Sequence, residues 1–325
     1  MARLLSIKLT KRIWDRQEVL MCGFPIIHLD RHLKVLVQVH QRCVALCEEF
    51  RRKNSEEGFE RRVVRVLTPG TLIDETFLNP YENNYLLAID GLQLEAPCGL
   101  LCDDRTNPSN NANIQHRLAT TEGALGLAWI DVSTGEFFAQ QSTIGNLKDD
   151  IARISPREVV LNSAIKEIPS HPILFVVARE GCFVSYISPS QLGSSPFSTL
   201  DLTSPASNAD DLIGEIPFCQ TLSGKLGFTE HETSAIGLLT TFLQAHLLEH
   251  MPLLSSPARH GQQDRMHMDS QTIKALEIKE GMREGGATGS LLSVVKRTVT
   301  SSGTRLLARW LCMCYVSNCG SPLHY

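Results

Sequence analysis

The chain changes its hydrophobic period once, and that change constrains its fold more than any other feature. As far as about residue 177, short strand-like runs alternate with single amphipathic helices. Residues 230–249 instead carry Ile236, Leu238, Leu239, Phe242, Leu243, Leu247 and Leu248, which is the density of a long, mostly buried helix. Strands mixed with helices followed by helices alone is the pattern of a multidomain chain, α/β first and all-α after it. The length of 325 residues allows two or three domains at roughly 100–200 residues each.

Local signals fill in this outline. Residues 4–10 (LLSIKLT) alternate as a strand, and Gly23-Phe24-Pro25 is a turn. A helix is expected from about His28 to Val39, with Leu29, Leu33, Leu36 and Val37 on one stripe and Arg31 and Lys34 off it. Strands at 41–48 and 61–67 flank the charged loop FRRKNSEEGFE, and Thr68-Pro69-Gly70-Thr71 closes this part with a tight turn. Residues 1–81 therefore read as a small α/β domain. A second unit, 82–215, has strands at 84–90, 124–131 and 136–140, the last two joined by a hairpin turn at Ser133-Thr134-Gly135. A helix near 145–153 and strands at 158–161 and 173–177 complete an α/β sheet. The Asn-rich stretch 103–117 reads as a disordered loop and 194–208 as a linker. Residues 216–325 read as a helical unit: the long helix, a break at 252–263, a short segment at 272–280 and a final helix at about 302–311.

The formal net charge of -4 hides an asymmetry. Residues 1–65 carry 14 Lys and Arg against 8 Asp and Glu, whereas the remainder carries 17 against 27. Any polyanion would therefore meet the N-terminal part. No apolar run approaches the roughly 20 residues that cross a bilayer, so no membrane span is expected. The ten cysteines form no dense disulfide framework. Cys98 and Cys102 lack partners at a zinc-ligand spacing, so reduced thiols in an intracellular protein are expected. The basic opening, MARLLSIKLTKRIWDR, could mimic an organelle presequence, but a folded strand with a basic turn is the plainer reading.

Catalytic motifs are missing. Gly224-Lys225 is followed by Leu226 and has no glycine five residues earlier, so it cannot wrap phosphates as a P-loop does. The glycine-rich 285–289 follows no strand, which argues against a dinucleotide fingerprint. No Gly-x-Ser-x-Gly elbow occurs. Asp131, Glu136, Asp149 and Asp150 are carboxylates in an α/β unit and could in principle hold nuclease cations. Asp131 stands at a strand end beside a turn, where Asp commonly forms turns. His246 and His250 lack the Glu of a zinc-protease helix and are expected on a helix surface.

Longer phrases carry more information. MCGFPIIHLDRHLKVLVQ, VALCEE, RVVRVLTPGTLIDE, NNYLLAI, LAWIDVSTGEF, ISPREVVL, ALEI and GSLLSVVKRTVTSSGTRLLARWL occur in this order. Together they resemble the MutS family of DNA mismatch-repair proteins from about residue 4 to residue 311. LTKR with WDRQ and MCGFP, and the spelling VKRTVTSSGTRLLARWL, look most like its fungal mitochondrial branch.

The resemblance implies a partial mismatch-binding domain over 1–81, an RNase-H-like connector domain over 82–215, and the start of the helical lever or core domain over 216–325, with an atypical tail from about 312. It implies DNA contact through Lys11 and Arg12 in a basic turn, through Met21, Gly23 and Pro25 in the loop near the minor groove, and through Arg31. These contacts to double-stranded DNA would be weak and made mainly to phosphates. Family members often have Tyr-His where this chain has Ile26-Ile27, and an acidic residue where it has Lys296. Thr298, Thr300, Gly303, Arg305 and Trp310 are expected to pack and cap helices. The mismatch wedge, Phe-x-Glu, does not precede Lys11, and no ATPase motif follows, so truncation at both ends is expected. On this reading the chain is not an enzyme and holds no cofactor of its own, ATP and Mg belonging to full-length relatives. Expected partners are DNA and repair factors that bind the connector, and the expected compartment is mitochondrial or nuclear, with mitochondrion favoured. The alternative is a protein-interaction fragment that works through the connector and binds little DNA.

Overall fold

The structure, a computed structural model, describes residues 1–14, 16–51, 59–74, 77–91, 123–188, 227–248, 254–260, 268–282 and 287–313. The loop expected at 103–117, the linker at 194–208, Cys98 and Cys102, Gly224-Lys225, His250 and the tail beyond 313 lie outside these residues.

The strand expected at 4–10 starts later. Residues 2–6 turn instead, closed by Leu5 N–H to the Met1 carbonyl (3.1 Å) and Ile7 N–H to the Ala2 carbonyl (3.0 Å), with Ser6 left-handed at φ +53°. Strand β1 (Thr10–Trp14) pairs antiparallel with β2 (Gln17–Met21). The alternation seen in the sequence was real, but a strand lies where it finds a partner. A 3₁₀ turn at Ile26–His28 leads into α1 (Leu29–Lys34), whose last part, Val35–Val39, widens to a π-helical turn. The expected stripe is the buried one: Leu33 and Val37 pack with Leu67, Leu72 and Phe77. β3 (Val44–Arg51) and β4 (Phe59–Leu67) are antiparallel, with a bulge between Leu46 and Cys47. Both strands reach further into the charged stretch than expected, where Glu49 stands opposite Arg61 and accepts its guanidinium at 2.6 Å. Thr71 N–H donates to the Thr68 carbonyl at 3.1 Å, which closes the expected turn.

The main layer is a six-stranded sheet. β5 (Tyr85–Asp90), β6 (Ala124–Asp131) and β7 (Phe137–Thr143) form an antiparallel meander, and Gly135 is left-handed at φ +77° in the β6–β7 turn. After α2 (Leu147–Ile154), β8 (Glu158–Asn162) lies parallel to β5 on its other side. α3 (Ser163–Lys166) and α4 (Pro172–Arg179) precede β9 (Phe183–Ile187), which is parallel to β8. The strand expected at 173–177 is therefore the helix α4. Pro172 sits at its first turn, and His171 caps it by accepting the Ile173 N–H on Nδ1 at 3.4 Å. Its run of β-branched residues imitates a strand. However, Ile173 and Val177 are buried while Phe175 is 69% exposed, which is a helical face.

α5 (Glu230–Leu247) crosses the other face of the sheet. Leu86 and Ala88 point toward it, whereas Leu87 and Ile89 point toward α2 and α4, so the strand's alternation serves two cores. Ile236, Leu239, Phe242 and Leu243 fill the α5 side; Leu147, Ile151, Ile154, Ile173 and Val177 fill the other. Gly126 permits the close approach: a Cβ there would lie 1.9 Å from the His231 carbonyl oxygen. The unit expected to be helical thus opens with a helix whose partner is the sheet. Thr229 Oγ1 accepts the Glu232 N–H (3.3 Å) and Glu232 Oε2 accepts the Thr229 N–H (2.7 Å), a capping box. Thr229→Ala should lower the stability to urea by about 1 kcal/mol, with no change of far-UV circular dichroism below the transition. His246, expected on a helix surface, is half-buried and stacked on Phe242 with ring centroids 3.9 Å apart.

Within the expected break, β10 (Ala258–Arg259) adds a short parallel strand to the β7 edge. α6 (Ser270–Ala275) is held by Asp149, which accepts the Ser270 N–H at 2.8 Å. α7 (Leu291–Val295) and α8 (Ser301–Cys312) follow. Thr300 caps α8 by accepting the Gly303 N–H at 3.1 Å, and the Thr298 and Thr304 hydroxyls meet at 2.7 Å. α8 rests on the β6–β7 turn: Arg305 donates to Ser133 Oγ (3.2 Å) and Arg309 pairs with Glu136 (3.4 Å). Lys296 lies over the Tyr81 ring at 4.1 Å. Among the described residues no helix is long and apolar enough to cross a membrane.

Candidate nucleic-acid interface

The β1–β2 hairpin packs chiefly on itself, and Thr10 to Ile13 and Gln17 to Leu20 are exposed, so solvent is met on both faces. Its register decides which side chains share a face. Lys11 stands opposite Leu20 and Ile13 opposite Glu18; Thr10 stands opposite Met21 and Arg12 opposite Val19. Cross-strand partners point the same way and neighbours along a strand point oppositely. Lys11 therefore lies on one face, and Arg12 and Met21 lie on the other. The two basic residues singled out in sequence are adjacent in the chain but not on a common surface.

They also differ electrostatically. Lys11 Nζ donates to Glu18 Oε2 at 2.9 Å, an exposed pair that offsets its charge. Among the described residues Arg12 has no acidic partner, and neither has Arg31. On β4 the arginines are engaged: Arg61 with Glu49 (2.6 Å), Arg62 with Glu60 (2.8 Å) and Arg65 with Asp74 (3.0 Å). On β4 the arginine charges are thus offset by acidic partners, whereas among the described residues those of Arg12 on the hairpin and Arg31 on α1 are not. Lys8, Arg16 and Lys34 are exposed basic residues that the motif reading passed over. Arg16 is left-handed at φ +64° in the hairpin turn, a position that a count of charges could not single out.

The loop after β2 is fixed to α1. The Phe24 ring lies on the His32 ring with centroids 4.4 Å apart. Pro25 stands before the 3₁₀ turn, and its carbonyl accepts the His28 N–H at 2.9 Å. A Cβ on Gly23 would meet nothing within 4 Å, and its φ is not in the left-handed region, so packing does not demand a glycine there. Ile26 and Ile27 are 86% and 82% exposed beside this loop. Arg31 is exposed on α1, carried by a different element from the hairpin.

The carboxylates considered for metal chemistry each have a structural partner. Asp131 Oδ1 accepts the Ser133 N–H (3.0 Å) and hydroxyl (2.5 Å), the turn-forming role expected of it. Glu136 meets Arg309, Asp149 accepts the Ser270 N–H of α6, and Asp150 pairs with Arg153 at 2.7 Å. Among the described residues no group of three or more His, Cys, Asp or Glu is placed to hold a metal ion. Among the described residues Cys22, Cys43, Cys47, Cys182 and Cys312 are in no disulfide.

Comparison with known proteins matches three family models in chain order: MutS domain I over residues 1–76, MutS domain II over 112–190 and MutS domain III over 271–316. The chain is 31% identical over 318 residues to a DNA mismatch repair protein MutS of Rhizobium meliloti, covering 95% of this chain and 30% of that protein. It is 32% identical over 315 residues to a MutS of Rhodopseudomonas palustris, with the same two coverages of 95% and 30%. A MutS of Roseobacter denitrificans gives 30% identity over 315 residues, 94% of this chain and 30% of the relative. The chain thus spans about 30% of the length of the relatives it matches.

Proposed function

Because the chain belongs to the MutS family of DNA mismatch-repair proteins, we propose that its first unit touches duplex DNA and its six-stranded unit serves as the connector. The carrying observation is that models of MutS domains I, II and III match in their order along the chain. The strand order β7-β6-β5-β8-β9, three strands antiparallel and then two parallel, supports an RNase-H-like description of the connector. We assign no catalysis to these residues, and the ATP and Mg chemistry of full-length relatives is placed outside them. The likeness of LTKR, WDRQ and MCGFP to the fungal mitochondrial branch favours a mitochondrial over a nuclear setting in this reading.

DNA contact in this proposal is to phosphates, and the hairpin geometry ranks the candidates. Among the described residues Arg12 and Arg31 meet no acidic partner, whereas Lys11 must first give up Glu18. Met21, Gly23 and Pro25 shape the approach and add no charge. Gel shifts with matched and mismatched duplexes at about 50 and 200 mM salt test this. Arg12→Ala should weaken binding to both duplexes alike and reduce the salt slope by about 1. Lys11→Ala should change the slope less. The absence of any shift at low salt would remove the DNA reading and leave the alternative, a connector that binds a repair protein.

A further inference from the structure

The seam between the first unit and the sheet holds a buried carboxylate that the DNA reading does not use. Glu158, the first residue of β8, is 0% exposed. Its Oε2 accepts the Thr68 hydroxyl (2.5 Å) and the Gly70 N–H (2.8 Å), both from the turn that ends the first unit. Its Oε1 accepts the Ser185 hydroxyl (2.5 Å) from β9. Among the described residues no cation pairs with it. The turn is fitted to this acceptor: a Cβ on Gly70 would lie 2.7 Å from Leu86 Cδ1 and 2.8 Å from Glu158 Cβ. Thr71 closes the turn from within, accepting the Thr68 N–H at 2.8 Å.

The surroundings of this contact are polar. A cleft beside it is lined by Gln38, Asn79, Glu82 and Arg157 together with the apolar Leu72 and Phe77. Asn84 Nδ2 donates to the Leu72 carbonyl at 3.0 Å across the same seam, and Arg157 meets Glu82 at 2.6 Å on its outer side. The apolar part includes Ile73 packed on the α5 core and β4 touching α5. Polar seams of this kind separate more readily than apolar cores. An unpaired buried carboxylate is also a poor way to gain stability, since burial of the charge costs more than an apolar residue would. It does fix one docked geometry, through the Thr68 and Gly70 hydrogen bonds that form together across the seam.

We propose that Glu158 is a positioning latch: it seats the Thr68–Thr71 turn on the sheet, and its release lets the first unit undock while the six strands stay paired. The inference does not depend on whether the first unit binds DNA. Burial holds the Glu158 carboxyl above the usual carboxylate range, although its three hydrogen bonds pull the other way. The other groups facing the contact are Cys43, whose thiol is pushed up by burial and by Glu158, the Arg65–Asp74 pair and the Arg157–Glu82 pair. On undocking, the carboxyl returns to water and to its ordinary range. The docked state therefore binds more protons between the ordinary range and the raised value. Docking is strongest at the acid end of that window and weakens as pH rises through it.

Hydrogen exchange of the whole chain, corrected for the intrinsic pH dependence of exchange, tests the latch. Gly70→Ala keeps the N–H but drives a Cβ into Leu86 and Glu158. By displacing the turn from its charged acceptor it should speed exchange at 66–74 about tenfold or more, while strands 85–90 and 158–162 keep wild-type protection. Wild-type exchange at 66–74 should quicken as pH rises through the window, and Glu158→Gln should flatten that profile. Glu82→Gln, which removes only the exposed pair, should leave it unchanged. If Gly70→Ala does not fold, the wild-type and Glu158→Gln profiles still decide the matter. Uniform acceleration of every strand, unchanged rates, or an identical pH profile in Glu158→Gln would each overturn the proposal.

Discussion

Phe242→Ala should destabilise the protein by about 3–5 kcal/mol, read as a fall in the urea midpoint without change of slope. Phe242 is fully buried on α5, in one cluster with Leu86, Ala128 and Val160 from three strands. Its ring is also the platform for His246. Truncation leaves a cavity that two rigid layers cannot close, because the Gly126–His231 approach already fixes the helix against the sheet. A loss of that size is a large share of the 5–15 kcal/mol that holds a typical domain together. Phe175→Ala is the matched control: its ring is mostly exposed on α4, and the change should stay within about 0.5 kcal/mol. Equal losses at the two positions would mean that α5 does not belong to the sheet's core.

Arg153→Met should cost nearly as much, about 3–5 kcal/mol, by a different route. Asp150 is buried on α2 and is surrounded by donors. Arg153 Nη2 donates to its Oδ1 at 2.7 Å, Gln140 Nε2 donates to the same oxygen at 3.3 Å, and the Ser142 hydroxyl donates to Oδ2. Arg153 also donates to Gln140 Oε1 at 2.9 Å and lies 5.7 Å from the Trp129 ring centroid. Removing the guanidinium leaves a carboxylate charge with neutral partners alone. The double variant Arg153→Met with Asp150→Asn removes both charges, and it should be more stable than Arg153→Met alone. A double variant that loses the sum of the two single losses would show that the pair is not coupled.

The parts of this fold that periodicity could reach were those with one buried face. α1, β5, β6 and the long helix α5 all announced themselves through apolar spacing. The partner of α5 was not legible, because a helix apolar on most of its surface does not say which neighbour covers it. Its Thr240 and Thr241 hydroxyls turn back to the Ile236 and Gly237 carbonyls, so even its polar positions tolerate burial. α4 was misread because Ile173, Val176 and Val177 imitate a strand; Pro172 before them was the overlooked signal. β9 was missed although the left-handed Gly181, φ +68°, separates it from α4 as a chain break between elements should. β10 is two residues long and has no pattern to detect.

The candidate interface shows a sharper limit. Composition located the positive charge correctly in the first 65 residues, but Lys11 and Arg12 parted company only when β2 supplied a register. Adjacent residues on a strand must face opposite ways, so the pair could not have formed one contact surface. Lys11 had a counter-charge seven positions along the chain, invisible until the hairpin closed.

The outermost strand has a consequence for synthesis. Ser255 N–H and hydroxyl both donate to the Gly135 carbonyl, 3.0 Å and 2.8 Å away, and the two residues stand 120 positions apart. Ala258–Arg259 then continue along β7, and Arg259 returns to Glu232 at the head of α5. During translation β7 is complete long before its neighbour emerges. At roughly 5–20 residues per second, the gap lasts on the order of ten seconds. For that interval the rim of the sheet is an unfilled template for another nascent chain, a hazard that ends when the late segment arrives.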